Sequence, residues 1–315
     1  MNEFELIQAL TKELPAHESV FIGPGDDCAV LDLGIPDRYL LFKTDAVVEG
    51  IHFEPTTDPE KVGHKALGRC LSDVAAMGGE PTAALITLAL PRDFDVAWVQ
   101  KLYQGIQRLG SRYDVAIAGG ETTTNPNGRL ISVSLIGTVP KVRCVSRTGA
   151  RPGDAIFVTG ELGGSLGGKH LEFEPRINEG KWLATNFEIH SMIDVSDGLA
   201  GDLRHLLRPV KLGAELLSEA IPISRAAKLQ AREGSARKPP LLAALSDGED
   251  FELLFTVSSA DAVRLLDAWK KQFPDLRLSC IGKIVDGSAV KLRDREGLRE
   301  LKLGGYTHFE KPGDS

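Results

Sequence analysis

Short β-rich runs alternate with amphipathic helical segments along the whole chain, and this alternation restricts the fold more than any other feature of the sequence. The predicted strands lie at 20–23, 28–33, 39–44, 82–90, 115–118, 130–139, 155–159, 192–195, 251–257 and 280–285. The predicted helices lie at 4–14, 59–77, 96–113 and 199–207. Such alternation predicts sheets covered by helices, an α/β fold of mixed α+β type.

A basic, turn-rich stretch at 140–151 interrupts this alternation near the middle of the chain. The chain has 315 residues, and a domain commonly holds about 100–200 residues. We therefore predict two domains, one at 1–140 and one at 141–315.

The charge balance and the lack of long apolar segments limit the partners of the chain. There are 37 Lys and Arg against 44 Asp and Glu, a formal net charge of -7, and the basic residues do not cluster as nucleic acid or an anionic membrane would require. No apolar run approaches the roughly 18 residues that span a bilayer, and the first residues do not form a signal peptide. The 4 cysteines lack C-x-x-C spacing. We predict a cytoplasmic protein with no nucleic-acid and no membrane partner.

Carboxylates gather at the ends of the predicted strands and helices, where the active sites of layered α/β proteins assemble. Asp26 and Asp27 lie between two strands, where a tight hairpin would also favour Gly and Asp. Thr44 and Asp45 stand at the predicted end of the third strand. The acidic residues at such ends are Asp26, Asp27, Asp45, Asp73, Glu121, Asp194 and Asp197.

Asp73 is the most informative of these carboxylates. On an ideal helix it lies on the same face as Val62 and Ala66, inside an apolar arc. A buried ionised carboxylate requires a cation, strong hydrogen-bond donors or a raised pKa. Asp73 therefore binds either local backbone donors or a hard cation that prefers oxygen ligands.

A site rich in carboxylates and poor in lysine indicates Mg²⁺ and phosphoryl transfer from a nucleotide, because Mg²⁺ usually binds one or two carboxylates together with substrate phosphates. The sequence contains no P-loop motif. The glycines from Gly160 to Gly168 suit a phosphate cradle and close packing equally well. Arg147 is a candidate for bidentate phosphate binding, whereas Ser196 or Asp197 is also a suitable helix N-cap.

Seven motifs follow one another along the chain: GPGDDCAVL, KTDAVVEGIHF, LSDVAAMG, GGETT, SRTGARPGD, IDVSDGL and DGEDFELLF. In this order they resemble the thiamine-monophosphate kinase family, part of the superfamily that includes aminoimidazole ribonucleotide synthetase. The resemblance runs from about Phe21 to Phe309. It implies two α/β domains, an N-terminal one that binds ATP and Mg²⁺ and a C-terminal one that completes the active site. It also implies a homodimer in which two N-terminal sheets pair.

The activity implied by this resemblance is ATP-dependent phosphorylation of thiamine monophosphate to thiamine diphosphate by direct transfer, with several Mg²⁺ ions and with ATP as co-substrate. The implied metal ligands are Asp27, Thr44, Asp45, Asp73, Asp194 and Asp197, to which the residue pattern adds Asp26 and Glu121. The implied nucleotide contacts are Gly120, Arg147 and Ser196, with Glu121 beside them. The implied substrate contacts are His52, Glu249 and Tyr306. We predict that Asp73 and Asp197 are catalytic.

Two departures from the family pattern leave alternatives open. Glu121 stands where the family commonly has Asp, and Cys70 stands where Asn often precedes the Ser-Asp pair. The longer carboxylate would shift a bound metal by about one bond length while keeping its charge. The alternative functions are another ATP-using enzyme of the superfamily, similar to aminoimidazole ribonucleotide synthetase, and a nucleotide- or metal-binding paralogue without turnover.

Overall fold

The computed structural model of the chain describes residues 3–234 and 238–302. The first of its two sheets contains β1 (Val20–Ile22), β2 (Ala29–Leu31), β3 (Arg38–Val48), β4 (Glu80–Leu90), β5 (Ala116–Thr124) and β6 (Leu130–Pro140). The second contains β7 (Ala155–Thr159), β8 (Ile189–Asp194), β9 (Gly213–Leu217), β10 (Leu253–Val257), β11 (Leu278–Val285), β12 (Val290–Asp294) and β13 (Gly297–Glu300). The helices are α1 (Glu3–Thr11), α2 (Pro59–Ala76), α3 (Val96–Arg112), α4 (Ile177–Asn186), α5 (Leu199–Leu207), α6 (Arg225–Arg232), α7 (Pro240–Ser246) and α8 (Ala262–Gln272). Within the described part of the chain, no helix has both the length and the apolar character needed to cross a membrane.

The strand order confirms the predicted mixed α/β fold. The first sheet has the order β1-β2-β3-β6-β4-β5, in which β4 and β5 are parallel. The second has the order β13-β12-β9-β11-β7-β10-β8, in which β9 and β12 are parallel. The first sheet is built from residues before the basic stretch and the second from residues after it. The domain division at 140/141 remains a prediction.

The first sheet has one buried face and one exposed face. On β6, Ile131, Val133 and Leu135 are fully buried in the same hydrophobic core as α2. The neighbouring Ile136 is exposed, as the two-residue side-chain period of a strand requires. The sheet therefore presents its outer face to solvent in the single chain.

Helix α2 lies between the two halves of the molecule. Asp58 caps its N-terminus by accepting the N–H of Glu60, and Pro59 occupies the first turn. The helix contacts β3 and β6 on one side and α4 and β8 on the other. Its apolar residues share one core with residues of β7 and β10. Polar side chains of α2 are consequently held between the halves.

Helices α2 and α3 cross at a pair of glycines. A Cβ atom on Gly63 would lie 2.1 Å from the carbonyl oxygen of Leu102, and one on Gly105 would lie 1.9 Å from the carbonyl oxygen of Glu60. Real side chains do not fit at these separations, so the glycines allow the close approach of the two helices.

Two of the predicted strand ends are wrong. β3 continues past Thr44 and Asp45, and β5 continues past Gly120 and Glu121, so these residues lie within strands. β3 pairs with β6 along its whole length and β5 pairs with β4 from Ala116 to Thr124, so pairing on one side of each strand continues through the polar positions. Exposure of the outer face makes polar side chains acceptable there.

Candidate active site

A stripe of three charged residues runs along α2 where the helix faces the rest of the molecule. Lys65, Arg69 and Asp73 are spaced four residues apart, which places them one above another on the helix. At about 1.5 Å per residue, the stripe is about 12 Å long. We call Lys65, Arg69 and Asp73 the α2 stripe.

At one end of the α2 stripe, three buried aspartates from separate elements meet. Asp27 lies in the connection between β1 and β2, Asp73 lies on α2, and Asp194 ends β8. Each contributes a carboxylate oxygen, and these oxygens all lie within 4.8 Å of one another. We call Asp27, Asp73 and Asp194 the carboxylate cluster. It brings together three of the predicted metal ligands, drawn from both halves of the chain.

Two cations contact the carboxylate cluster. Lys43 Nζ lies 2.9 Å from Asp73, and Arg147 donates to Asp27 through Nε at 3.1 Å and Nη2 at 2.5 Å. The backbone N–H of Arg147 also donates to the neighbouring Asp26. Asp27 Oδ2 is buried and has no hydrogen-bond partner among the described residues. The predicted nucleotide contact Arg147 is thus an ion-pair partner of this cluster.

The pKa values of Asp26, Asp73 and Asp194 are raised. Burial, together with the charge of Asp27, raises the pKa of Asp194 to about 6, although Ser72 Oγ donates to Asp194 at 2.6 Å. Burial raises the pKa of Asp73 well above its usual range. Burial and Asp27 likewise raise the pKa of Asp26 to about 6. The protein therefore leaves negative charge here that its own cations do not balance.

The carboxylate cluster fits a hard divalent cation. All of its candidate ligand atoms are oxygens, the donor type that Mg²⁺ prefers. A buried carboxylate oxygen without a partner, such as Asp27 Oδ2, is costly unless a donor or a cation contacts it. A bound cation would satisfy this oxygen and lower the repulsion within the cluster.

At the other end of the α2 stripe, cations surround one carboxylate. Glu249 Oε2 lies 2.7 Å from Lys65 Nζ and 3.0 Å from His170 Nδ1, and Oε1 lies 3.3 Å from Arg69 Nη1. We call these four residues the Glu249 cluster. Burial favours a higher pKa, but His170, Lys65 and Arg69, which surround the carboxylate, outweigh it and lower the pKa of Glu249 to about 2.

Arg69 joins the Glu249 cluster to Asp45 on β3. Its Nε and Nη2 atoms lie 2.9 and 3.2 Å from the two oxygens of Asp45. Burial opposes ionisation, but Arg69 and Lys43 outweigh it and lower the pKa of Asp45. Asp45, a predicted metal ligand, is therefore paired with Arg69 and is not one of the three clustered aspartates.

Three predicted residues on β3 and β5 are not brought together with the carboxylate cluster. Thr44 is exposed, and Glu121 is exposed with its carboxylate accepting the N–H of Thr122 at 3.0 Å. A Cβ atom on Gly120 would lie 1.8 Å from the carbonyl oxygen of Ile86, so this glycine allows β5 to approach β4 closely.

The predicted substrate contacts His52 and Glu249 are linked by one lysine. The carbonyl oxygen of His52 accepts from Lys65 Nζ at 2.6 Å, and the ring Nδ1 accepts the N–H of Val48 at 3.1 Å. Burial and the charge of Arg69 lower the pKa of His52 to about 4, so its ring is neutral near pH 7. The third predicted contact, Tyr306, lies outside the described residues.

A second group of potential ligands lies along α5 and in the residues just before it. Asp197 and Asp202 come together with His205, each with a ligand atom within 4.8 Å of the others. Asp202 accepts the N–H of Asp197 at 3.0 Å. The N-cap position of α5 is occupied by Gly198, with no side-chain cap, so neither Ser196 nor Asp197 caps this helix.

The glycine run after β7 is closely packed. The N–H of Gly163 donates to Asp250 at 2.9 Å, and the N–H of Gly164 donates to Asp247 at 3.1 Å. A Cβ atom on Gly163 would lie 2.5 Å from the backbone nitrogen of Ala244. Carboxylates of the chain itself already occupy these backbone donors, which favours packing over a phosphate cradle.

Sequence reasoning named Arg147 but missed the other basic residues of the site, Lys43, Lys65, Arg69 and His170. Lys65 and Arg69 carried a signal, because they share the helical spacing of Asp73. Lys43 carried a weaker one, because it alternates with Asp45 along β3. His170 carried none, because its partner Lys65 is 105 residues away.

Comparison with known families first defines the class. Residues 25–139 match the family model described as AIR synthase related protein, N-terminal domain. This range contains nearly all of the first sheet and the whole α2 stripe. With the two-sheet architecture, this match defines an α/β protein with the AIR synthase related fold.

Comparisons over nearly the full length are more specific. The thiamine-monophosphate kinase of Rhodopirellula baltica is 40% identical over 286 residues, which cover 89% of this chain and 87% of the relative. That of Escherichia coli strain K12 is 36% identical, with 99% of each chain covered. A solved structure of AaThiL complexed with AMPPCP and TMP has a TM-score of 0.83 and 33% identity, covering 98% of this chain and 97% of that one. The chain belongs to the thiamine-monophosphate kinase family.

Proposed function

We propose that this chain transfers the γ-phosphoryl group of ATP to the phosphate of thiamine monophosphate and forms thiamine diphosphate. Relatives named for this activity at 36% to 40% identity support the assignment, as does the similarity to AaThiL complexed with AMPPCP and TMP. The observation that carries the proposal is the buried carboxylate cluster with its unpartnered Asp27 Oδ2. We further propose that the enzyme acts in the cytoplasm.

The carboxylate cluster is proposed to hold Mg²⁺, with Asp26, Asp45, Asp197, Thr44 and Glu121 as the further predicted ligands. Bound Mg²⁺ supplies charge neutralisation for the phosphates of the two substrates. Lys43 and Arg147 fix Asp73 and Asp27 in place. With its guanidinium beside the cluster, Arg147 is proposed to bind a nucleotide phosphate, as predicted, together with Ser196 and Gly120.

The acceptor phosphate is already an anion, so the reaction requires no general base. The chain contributes by orienting two polyanions, which is how phosphoryl transfer enzymes obtain most of their rate. In this proposal the carboxylate cluster binds the nucleotide end of the reaction, and His52 and Glu249 with Tyr306 bind the acceptor. The rigid α2 stripe then sets the distance between the two ends.

We propose that the enzyme is a homodimer formed through the outer face of the first sheet. Phe42, Leu85 and Ile136, on neighbouring strands of that face, are 45%, 49% and 36% exposed. Thr44 on β3 and Glu121 on β5, the neighbour of β4, are part of this exposed surface, so a second copy would cover predicted ligands as well. Light scattering after size exclusion tests the dimer, and Leu85→Glu is expected to give monomers.

The function is tested by incubating the purified chain with ATP, Mg²⁺ and thiamine monophosphate and resolving thiamine diphosphate by chromatography. We expect product that disappears with EDTA. Nucleotide binding without product would favour a paralogue without turnover. Product only with the acceptor of aminoimidazole ribonucleotide synthetase would favour that activity.

A further inference from the structure

Lys65 is a fully buried lysine at the acceptor end of the α2 stripe. Its side chain is 0% exposed. The ammonium group contacts the carbonyl oxygen of His52 at 2.6 Å, His170 Nδ1 at 2.8 Å and Glu249 Oε2 at 2.7 Å. An ammonium group has three N–H donors, so each of them has a partner. Lys65 therefore has no donor left for a substrate and acts only through these neighbours.

The partners of Lys65 come from three separate segments. His52 follows β3 in the first half of the chain, whereas His170 and Glu249 are 105 and 184 residues from Lys65. One ammonium group thus joins the two halves at the point where both described candidate substrate contacts lie. An apolar residue in its place would break this junction without touching the carboxylate cluster.

The burial of Lys65 is not explained by stability. Moving an ammonium group out of water costs several kcal/mol, and well-packed apolar residues often replace buried ion pairs at no loss. Burial indeed lowers the pKa of Lys65, against the opposing charge of Glu249. An apolar side chain at this position would avoid the free-energy cost of burying an ammonium group. The presence of a lysine therefore indicates that its hydrogen bonds are required.

The backbone at Glu249 supports this view. Glu249 has a φ of 53°, in the left-handed region, between Gly248 at 73° and Asp250, and Phe251 has a φ of 51°. A non-glycine residue in this region is strained, because its Cβ atom crowds the following carbonyl oxygen. The N–H of Glu249 donates to the carbonyl oxygen of Ser196 at 2.7 Å. The loop is therefore held in a strained conformation with the Glu249 carboxylate at Lys65, and such strain concentrates at functional sites.

We propose that Lys65 is a positioning residue for the acceptor substrate: it fixes the Glu249 carboxylate and the main chain at His52 in the geometry that binds thiamine monophosphate. The inference rests on the proposed function, because it takes His52 and Glu249 as the acceptor contacts. It assigns no role to Lys65 toward ATP, whose predicted contact Arg147 lies at the carboxylate cluster.

The test is Lys65→Met, which keeps the length of the side chain and removes its donors. We expect the kcat/KM for thiamine monophosphate to fall about 100-fold, the usual cost of misplacing a substrate contact. The KM for ATP should change less than about threefold, because the substitution removes no predicted contact to the nucleotide. Calorimetry with thiamine monophosphate alone should show the same loss without turnover.

Lys61→Met is the matched control. Lys61 lies one turn earlier on α2, is 40% exposed and pairs with Glu172 at 2.9 Å. The same substitution there should leave both substrate parameters within about twofold, since exposed ion pairs contribute little.

A second variant keeps the inference falsifiable when Lys65→Met does not fold. The double variant Lys65→Met with Glu249→Gln buries no unpaired carboxylate. Because Lys65 acts largely through Glu249, the double variant should differ from Glu249→Gln alone by less than about tenfold in kcat/KM for the acceptor. A much larger additional loss, or equal losses toward ATP and the acceptor, would overturn the inference. Absence of product from the unaltered enzyme would instead overturn the proposed function.

Discussion

The two ends of the α2 stripe contain the same types of side chain but differ in their balance of charge. At one end, the basic residues that contact Asp26 and the carboxylate cluster within 3–234 and 238–302 are Lys43 and Arg147. At the other end, Glu249 and Asp45 face Lys65 and Arg69, with His170 beside them. The first end has more anions than cations, whereas the second is neutral within the protein. The difference supports the proposed cation site at the first end, whereas the charges at the second end are balanced by the protein's own side chains.

The pKa directions follow this difference. The pKa values of Asp73 and Asp194 are raised, because burial and mutual repulsion disfavour the charged forms. The pKa values of Glu249 and Asp45 are lowered despite burial, because cations contact each carboxylate. Removing a carboxylate from the first end should therefore leave the folded protein stable, whereas removing one from the second end should destabilise it.

The largest effect is expected from Asp73→Asn. Turnover at saturating Mg²⁺ should fall by about a thousandfold or more, because neutralisation of phosphate charge supplies much of the rate. The metal-free variant should stay folded, since the substitution removes a carboxylate from a repulsive group. Steady-state kinetics and thermal unfolding with and without Mg²⁺ test both points. Near-normal turnover would exclude Asp73 as a ligand.

Glu249→Gln should instead destabilise the protein. It leaves Lys65 buried with less compensation, which should lower the free energy of unfolding by about 3 kcal/mol. Urea unfolding measures this loss. Glu172→Gln, which removes the exposed partner of Lys61, is the control and should have little effect. An unchanged midpoint for Glu249→Gln would mean that the charge balance at this end does not stabilise the fold.

The third prediction concerns pH. Asp194 has a folded pKa of about 6 against an ordinary value of 3.8, so the folded state binds its proton more tightly. Its contribution to stability is therefore lost as pH rises from about 4 to about 6, by about 3 kcal/mol at most. The lowered pKa of Glu249 gives the opposite sign, with stability lost as pH falls from about 4.5 toward about 2.

The Asp194 contribution is isolated by comparison with Asp194→Asn. In EDTA, the difference in unfolding free energy between the unaltered protein and this variant should shift in favour of the variant as pH rises from about 4 to about 6.5. Excess Mg²⁺ should remove this shift, because a cation bound to the unaltered protein stabilises the ionised form. A difference in unfolding free energy that does not change with pH in EDTA would contradict the raised pKa of Asp194 and the repulsion within the carboxylate cluster.

The smallest effect on stability is expected from Glu121→Gln, which belongs to neither end of the stripe. The residue is exposed, so the free energy of unfolding should change by less than about 0.5 kcal/mol. As a predicted nucleotide contact, it should raise the KM for ATP by less than about tenfold, since an exposed charge contact is worth about 1 kcal/mol or less. Denaturation and ATP kinetics measure the two effects. A large loss of stability would show that this strand is packed differently.

Much of the fold could be predicted because its signals are local. α2 begins at Pro59 behind a capping Asp58 and ends before two glycines, and each of these features is visible in the sequence. The position of Asp73 in an apolar arc predicted its burial. The ends of β3 and β5 could not be predicted, because pairing with distant strands extends them through polar residues.

The charge pattern of the site was predicted only in part. Asp27, Asp73 and Asp194 were expected together from the ordered motifs, and they do meet. The pairing of Asp45 with Arg69 and of Lys65 with Glu249 was not expected, because it depends on which side chains the folded chain brings together. The spacing of apolar residues in the sequence shows that a side chain is buried. Which ion-pair partner it meets depends on the tertiary structure.

The glycine crossing of α2 and α3 has a mechanical consequence. Because one rigid helix contains the whole α2 stripe, the contact at Gly63 and Gly105 fixes the position of both ends of the stripe. A methyl group on Gly105 would lie 1.9 Å from the carbonyl oxygen of Glu60, so α2 would have to tilt. That tilt would displace the carboxylate cluster and the Glu249 cluster together, although Gly105 contacts neither cluster. One close helix contact thus fixes the relative positions of a site with excess negative charge and a site whose charges are balanced.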